Sequence, residues 1–322
     1  MDRRHFIKAT LATGAFATLG ARVAVAEWRP RRPINIILPY SAGGGTDALG
    51  RAAAASAEGI LPVPLVIVNK PGSSGITGAT EAANAPPDGS TMMLTSAGSF
   101  LLTSMLRDTD VNPFDSFRIV AQIGNLTPAL LVPASSPFTT VQDLVDAAKA
   151  EPGTLRWAHN GRGGFHHVAG QSFLNANGLK AQDVPFKGGG PTRAAVIGGQ
   201  VDFAFIGIQQ AAGFDNELRV LGLAAPERDP IAKDVPTLAE QKFDYVAVSS
   251  PIVLFVPKDT PDEVVSTMES AMRRIAESPR FAELMLPQGN VPEFLSGKET
   301  EARLRRMQEE TRPVIDALRN QG

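Results

Sequence analysis

The chain contains no cysteine. That excludes disulfides, thiolate metal sites, a cysteine nucleophile and a lipidated cysteine anchor. It has no block of basic residues, and its formal charge is only −2, so nucleic acid and anionic membrane surfaces are poor partners. No apolar run is long enough to span a bilayer. No fixed-period repeat or low-complexity tract stands out. The phosphate and dinucleotide fingerprints G-x-x-x-x-G-K-[ST] and G-x-G-x-x-G are missing, as are G-x-S-x-G and H-E-x-x-H. Only four histidines occur, with two tryptophans and two tyrosines. What remains is the composition of an ordinary α/β protein, long enough to divide into two domains.

The first 26 residues read as an address. Arg3 and Arg4 precede His5-Phe6-Ile7-Lys8, a mildly apolar stretch follows from Ala9 to Ala21, and Ala24-Val25-Ala26 supplies a small-x-small cleavage site. A twin-arginine export signal cleaved near Ala26 is expected, placing the mature chain in the periplasm; an uncleaved amphipathic anchor is the alternative. Residues 1–26 take four basic side chains and one acid with them, leaving a mature charge of −5.

The organising stretch is Pro39-Tyr40-Ser41-Ala42-Gly43-Gly44-Gly45-Thr46-Asp47. A strand, Ile34–Leu38, precedes it, and an alanine-rich helix from Ala48 to Ala57 follows. Such a loop, with the helix capped by Thr46 or Asp47, offers backbone N–H groups to an anion at the positive end of a helix dipole. Taken alone it could equally be a tight turn with a satisfied cap. The pattern recurs. A strand at Leu65–Asn69 runs into Lys70-Pro71-Gly72-Ser73-Ser74-Gly75, and one at Thr91–Thr95 ends in Ser96-Ala97-Gly98-Ser99. Ligands bind at the carboxyl ends of strands in open α/β sheets, so the recurrence favours binding.

Residues 119–133 read as a crossing segment. A helix follows from Thr139 or Thr140 to Ala150, then a short strand at Leu155–Ala158. The stretch from His159 to His167 is the second chemical centre. Arg162, between glycines, could aim a guanidinium at a carboxylate or stay solvated. His159, His166 and His167 invite a zinc reading, but no carboxylate stands at ligand spacing, so no metal is expected. A helix is expected from Val168 to Asn175. Val184–Thr192 repeats the strand, glycine loop and helix theme, and strands follow at Val201–Ile206 and Arg219–Ala224. Tyr245–Val256 suits a return crossing, and two amphipathic helices, Pro261–Ser278 and Lys298–Asn320, close the chain.

Several of these segments carry a resemblance. Pro33-Ile-Asn-Ile-Ile-Leu-Pro-Tyr40 with Ala42-Gly-Gly-Gly-Thr-Asp47, Val68-Asn-Lys-Pro-Gly72, Ala85-Pro-Pro-Asp-Gly89 and His167-Val-Ala-Gly170 come in order. Val184-Pro-Phe-Lys-Gly188, Gly198-Gly-Gln-Val-Asp202, Asp234-Val-Pro-Thr-Leu238 and Phe255-Val-Pro257 complete the series. Over essentially the whole mature chain it resembles the substrate-binding proteins of tripartite tricarboxylate transporters, the Bug family.

The resemblance implies an α/β, two-lobed periplasmic-binding-protein-like (type II) Venus flytrap with two crossing hinge segments. Residues 27–124 and 249–322 would form one lobe and 125–248 the other. It implies a monomer without cofactor or catalysis, binding a small carboxylate and passing it to membrane permease subunits. Carried over by position, Tyr40, Ser41, Ala42, Gly43 and Gly44 hold a carboxylate with Asp47 beneath. Ser74, Ser96, Ala97 and Gly98 line the same lobe. Asn160, Arg162, Gly163, Phe165, His166, Ile206 and Gly207 face them from the other lobe. Phe165 and His166 stand where the family usually has small hydroxyl residues, and Ile206-Gly207 where an Asp-Asn pair is common. Arg162 replaces a small or amide residue. Losing an acid while gaining these side chains implies an acid with an aromatic or apolar body. Two other functions stay open: a receptor feeding a two-component sensor kinase, and a secreted hydrolase built on Ser96 and His166.

Overall fold

The computed structural model describes residues 28–107, 109–248 and 250–319; the expected export signal lies outside them. Among the described residues the chain forms two lobes, each a mixed sheet with helices packed against it. The first sheet comprises β1 (Ile34–Leu38), β2 (Leu65–Asn69), β3 (Thr91–Ser96), β4 (Phe117–Leu126), β10 (Ser250–Pro257) and β11 (Pro292–Ser296). Its spatial order is β11-β4-β10-β3-β1-β2. Helices α1 (Gly45–Ser56), α2 (Ile76–Ala83), α3 (Ala97–Leu106), α7 (Asp262–Ala276), α8 (Pro279–Met285) and α9 (Gly297–Arg319) belong with it. The second sheet holds β5 (Pro128–Pro133), β6 (Arg156–His159), β7 (Gln182–Pro185), β8 (Phe203–Gly207) and β9 (Leu218–Leu223), in the order β7-β6-β8-β5-β9. Helices α4 (Val141–Ala150), α5 (Phe165–Ala176) and α6 (Gly189–Ile197) complete that lobe. The chain passes between sheets at Thr127, where β4 ends and β5 begins, and returns ahead of β10. No helix among the described residues is long and apolar enough to cross a membrane.

Strand β1 pairs in parallel with both β2 and β3. Four of its five residues are buried, which is why an unbroken apolar run forms a central strand. Phe100, Phe117 and Phe255 meet edge to face in the first lobe, with ring centroids 5.6–6.1 Å apart. In the second lobe Trp157, fully buried, packs against Phe203, Phe205 and His167. Thr140 caps α4, and Asp143 reaches back to complete a capping box.

Three helices begin earlier than the sequence suggests. The first opens at Gly45, so Thr46 and Asp47 lie inside its first turn and Gly44 takes the cap position. Ser96-Ala97-Gly98-Ser99 is not a loop: Ser96 is the cap of α3. Phe165, His166 and His167 form the first turn of α5, three residues ahead of the expected start at Val168. In α1 and α3 small residues are the tight entry into the helix, and in α5 the entry is Gly163-Gly164 just ahead of Phe165.

Candidate ligand-binding site

Four helices start at the boundary between the lobes: α1 and α3 from the first, α5 and α6 from the second. Their cap positions are Gly44, Ser96, Gly164 and Gly188, and none uses a side chain to satisfy the helix's first N–H groups. By contrast α4 and α8 are capped by the hydroxyls of Thr140 and Ser278. The first turns of α3, α5 and α6 contain no acid. Apart from the Phe165 N–H, which Ser99 Oγ accepts, first-turn N–H groups without a cap side chain at four converging positive dipole ends make an anion-attracting cleft.

The one acid in these turns, Asp47, is fully engaged. Its Oδ2 accepts from Gly43 N–H and Arg51 Nε, both at 3.0 Å, and its Oδ1 accepts from Asn69 Nδ2 at 3.0 Å. Asn69 Nδ2 also donates to Tyr40 O at 3.0 Å. Burial works to raise the Asp47 pKa, but the hydrogen bonds from Arg51, Gly43 and Asn69 and the Arg51 charge outweigh it and hold the carboxyl below its usual value. Asp47 thus fixes the 40–44 loop from below, and the Gly43 N–H belongs to the scaffold.

The lobes meet backbone to backbone. A Cβ on Gly190 would lie 3.3 Å from Gly43 O and Ala42 O, and one on Gly44 3.5 Å from Gly189 N. Gly188, at φ +122°, lets its chain come within reach of Ser41. Ser74 Oγ donates across the cleft to Arg162 O at 2.8 Å, and Phe165 N–H to Ser99 Oγ at 3.3 Å. Behind these contacts remains a cavity of about 20 Å³, lined by Tyr40, Gly44–Asp47, Ser96, Leu126, Asn160, His166, Gly189, Gly207, Gln209 and Gln210. That is room for about one water, so the lobes here are shut. A second pocket of about 250 Å³ opens at the mouth, bordered by Tyr40, Ser74, Arg107, Arg162, Phe186 and Lys187.

Several buried polar atoms at or near the cavity have no partner among the described residues. The Tyr40 hydroxyl faces those of Thr95, Ser96 and Ser99 without a well-formed bond to any, and burial pushes its pKa up. Thr95 Oγ1 and His166 Nε2 are likewise unpartnered. Ser96 Oγ pairs with Ser250 Oγ rather than with His166, so the hydrolase alternative lacks its serine–histidine contact.

The other expected residues sort clearly. Ser41, Ala42 and Gly43 sit at the glycine-to-glycine contact; Ala97 and Gly98 are buried in the first turn of α3. A Cβ on Gly163 would pack against Leu106 and Thr103. Phe165 and Ile206, expected to face the ligand, are fully buried in hydrophobic clusters and line neither pocket. Their strand and helix positions turn them to the sheet's packed face. Arg162 borders the mouth, but its Nη2 pairs with Asp183 Oδ2 at 2.9 Å.

Sequence reasoning missed Gln209 and Gln210, buried amides just past the end of β8. Gln209 fills the space between Gly45 and Gly207, where added Cβ atoms would come within 2.3 Å of its amide. An amide pair at a strand's carboxyl end was the available signal.

A carboxylate does reach the histidines, contrary to the reading from spacing. His159, His167 and Asp183 hold ligand-type atoms within 4.8 Å of one another. Their chemistry does not suit a cation. Gly161 N–H donates to His159 Nδ1 at 3.2 Å and Gly163 N–H to His167 Nδ1 at 3.3 Å. Each neutral ring therefore carries its proton on Nε2, the atom a metal would need; metal-bound histidines instead donate from the other nitrogen. His159 Nε2 spends that proton on Asp183 Oδ1 at 2.5 Å. The cluster ties α5, β6 and β7 together.

The family model described as "Tripartite tricarboxylate transporter family receptor" matches residues 49–319. The chain belongs to this receptor family. It is 28% identical over 305 residues to the "UPF0065 protein in gbd 5'region" of Cupriavidus necator, spanning 93% of this chain and 92% of that one. Protein BugT of Bordetella pertussis is 26% identical, over 88% and 89% of the two chains. Among solved structures, one described as a periplasmic transporter superposes with TM-score 0.82 at 28% identity, covering 91% of this chain and 98% of that chain. MatC from Rhodopseudomonas palustris, solved with bound malate, gives 0.79 at 26% identity, over 89% and 99%. The tripartite tricarboxylate receptors are solute-binding proteins, not enzymes.

Proposed function

We propose that this receptor works in the periplasm as a monomer, captures a small organic carboxylate between its lobes and delivers it to the membrane permease of a tripartite tricarboxylate transporter. The observation that carries this reading is the convergence of four helix starts whose cap residues lend no side chain to the first-turn N–H groups, with the Asp47 charge already balanced by Arg51. The malate held by MatC is the same kind of solute. Phe165 and Ile206 lie in the core, so an apolar body on the ligand would meet Tyr40 and Phe186 at the mouth instead. The lobes open and close about the crossings at Thr127 and ahead of β10.

The test is a thermal-shift panel of mono-, di- and tricarboxylates and aromatic acids against residues 27–322. Ligand at a hundred times its Kd adds about 2.7 kcal/mol to stability. Shifts confined to acids, and weakened at least tenfold in Gly190→Val, whose branched side chain would overlap Gly43 O, support the reading. Shifts from sugars or amides alone would sink it.

A further inference from the structure

We infer that the ligand is a 2-hydroxy acid and that His166 is the residue that reads its hydroxyl. The inference rests on the carboxylate reading above. His166 is 2% exposed and lines the inter-lobe cavity. Its Nδ1 is hydrogen-bonded to Asn160 Oδ1. A carbonyl oxygen only accepts, so the ring's proton sits on Nδ1 and Nε2 presents a lone pair. That Nε2 is buried and has no partner among the described residues. A buried acceptor without a donor is costly, so the bound ligand is where its partner should come from.

The surroundings narrow the donor. Burial holds the His166 pKa well below its usual value, so the ring stays neutral. A carboxylate oxygen facing its lone pair would be repelled. An ammonium donor would need a counter-charge in the cavity. The only acid lining it among the described residues, Asp47, has both oxygens committed to Gly43, Arg51 and Asn69, and an uncompensated buried cation is disfavoured. A neutral hydroxyl remains. His166 is the second residue of α5, whose uncapped N-terminus faces the anion. The ring therefore stands beside the carboxylate end of the ligand, within reach of a hydroxyl on the adjoining carbon. Sites that hydrogen-bond a substrate hydroxyl reject the analogue lacking it far more strongly than apolar pockets reject a missing methylene.

Isothermal titration with matched pairs tests this: lactate and propionate, malate and succinate, mandelate and phenylacetate, with the corresponding 2-amino acids as a third arm. In the pair that binds, the hydroxy acid should bind at least tenfold more tightly than its deoxy partner. His166→Phe should bring the two within about threefold while still binding the deoxy acid, and His166→Gln, which restores an acceptor, should recover part of the preference. Acids binding with no hydroxyl preference, a tighter 2-amino acid, or uptake of a proton on binding in buffers of different ionisation enthalpy would each overturn this inference and leave the carboxylate reading standing. A panel in which no acid binds overturns both.

Discussion

Asp47 is the residue whose removal best separates holding the loop from touching the ligand. In Asp47→Asn one amide oxygen can still accept from Asn69 Nδ2. The new NH₂ then faces two donors, Gly43 N–H and Arg51 Nε, where Oδ2 had accepted both at 3.0 Å. The Arg51 side chain is 54% exposed, so solvent screens that pair and its loss costs no more than about 0.5 kcal/mol. Gly43 is also exposed, which puts its stranded N–H at the low end of the usual cost, about 1 kcal/mol. The sum, near 1.5–2 kcal/mol with the added donor–donor contact, should lower Tm by about 3–8 °C. The pH dependence has a definite sign. The Asp47 pKa is depressed in the fold, so its contribution is complete above the ordinary carboxylate range and fades as pH falls through the folded value, below about 4. Urea titrations of the parent and Asp47→Asn at pH 7, 5, 4 and 3 should show a constant gap down to pH 5 and a closing gap below 4. An Asp47→Asn protein as stable as the parent at pH 7, or a gap unchanged at pH 3, would refute the assignment.

Two further changes probe the second lobe. A Cβ on Gly170 would fall 2.3 Å from the Trp157 ring and 2.8 Å from Phe205, so Gly170→Ala should lose about 1–3 kcal/mol in denaturant titrations; an unchanged midpoint would show the helix can shift freely. Burial, with His159 adding, pushes the His167 pKa down to about 3 against the pull of Asp183. The unfolded chain therefore binds the proton first, and stability should fall as pH drops below about 6.5, by up to roughly 1.4 kcal/mol per pH unit for this group. His167→Gln should flatten that slope between pH 6 and 4; parallel profiles would contradict it.

The parts of the fold legible from sequence were those set by local signals. Strand β2 runs from Leu65 to Asn69 as its apolar run indicates, and α4 starts where Thr140 caps it and Asp143 answers. Strand β11 was invisible because all five of its residues are half-buried and its pairing with β4 is irregular, leaving no period-2 pattern to read. The Ser278 cap with Pro279 at the first helical position did mark α8, but it was absorbed into the end of the preceding helix. At the site, the glycine loops were legible because close backbone approach demands glycine. The His159–Asp183 contact was not. It depends on parallel pairing of β6 with β7, which sets Trp157 opposite Asp183 and brings His159 onto the same face two residues on. Phe165 and Ile206 were ambiguous for a related reason: a large apolar side chain beside a glycine loop reads equally well as ligand wall or as core, and here both are buried in hydrophobic clusters.

These separate observations share one physical pattern. Away from the cleft, α4 and α8 are capped by side chains while α7 is not. At the inter-lobe boundary such departures gather: four helix starts without a side chain from the cap residue, Tyr40, Thr95 and His166 atoms with no partner among the described residues, and glycine carbonyls pressed against glycine backbone. Glycine at three of the four cap positions costs only about a few tenths of a kcal/mol each against a side-chain cap, and unmet buried polar atoms add to that. Such costs gathered at one boundary point to a partner that meets those groups. Ligand favours closure because it supplies what the protein leaves out: negative charge for the dipole ends and, at His166, a hydrogen to share.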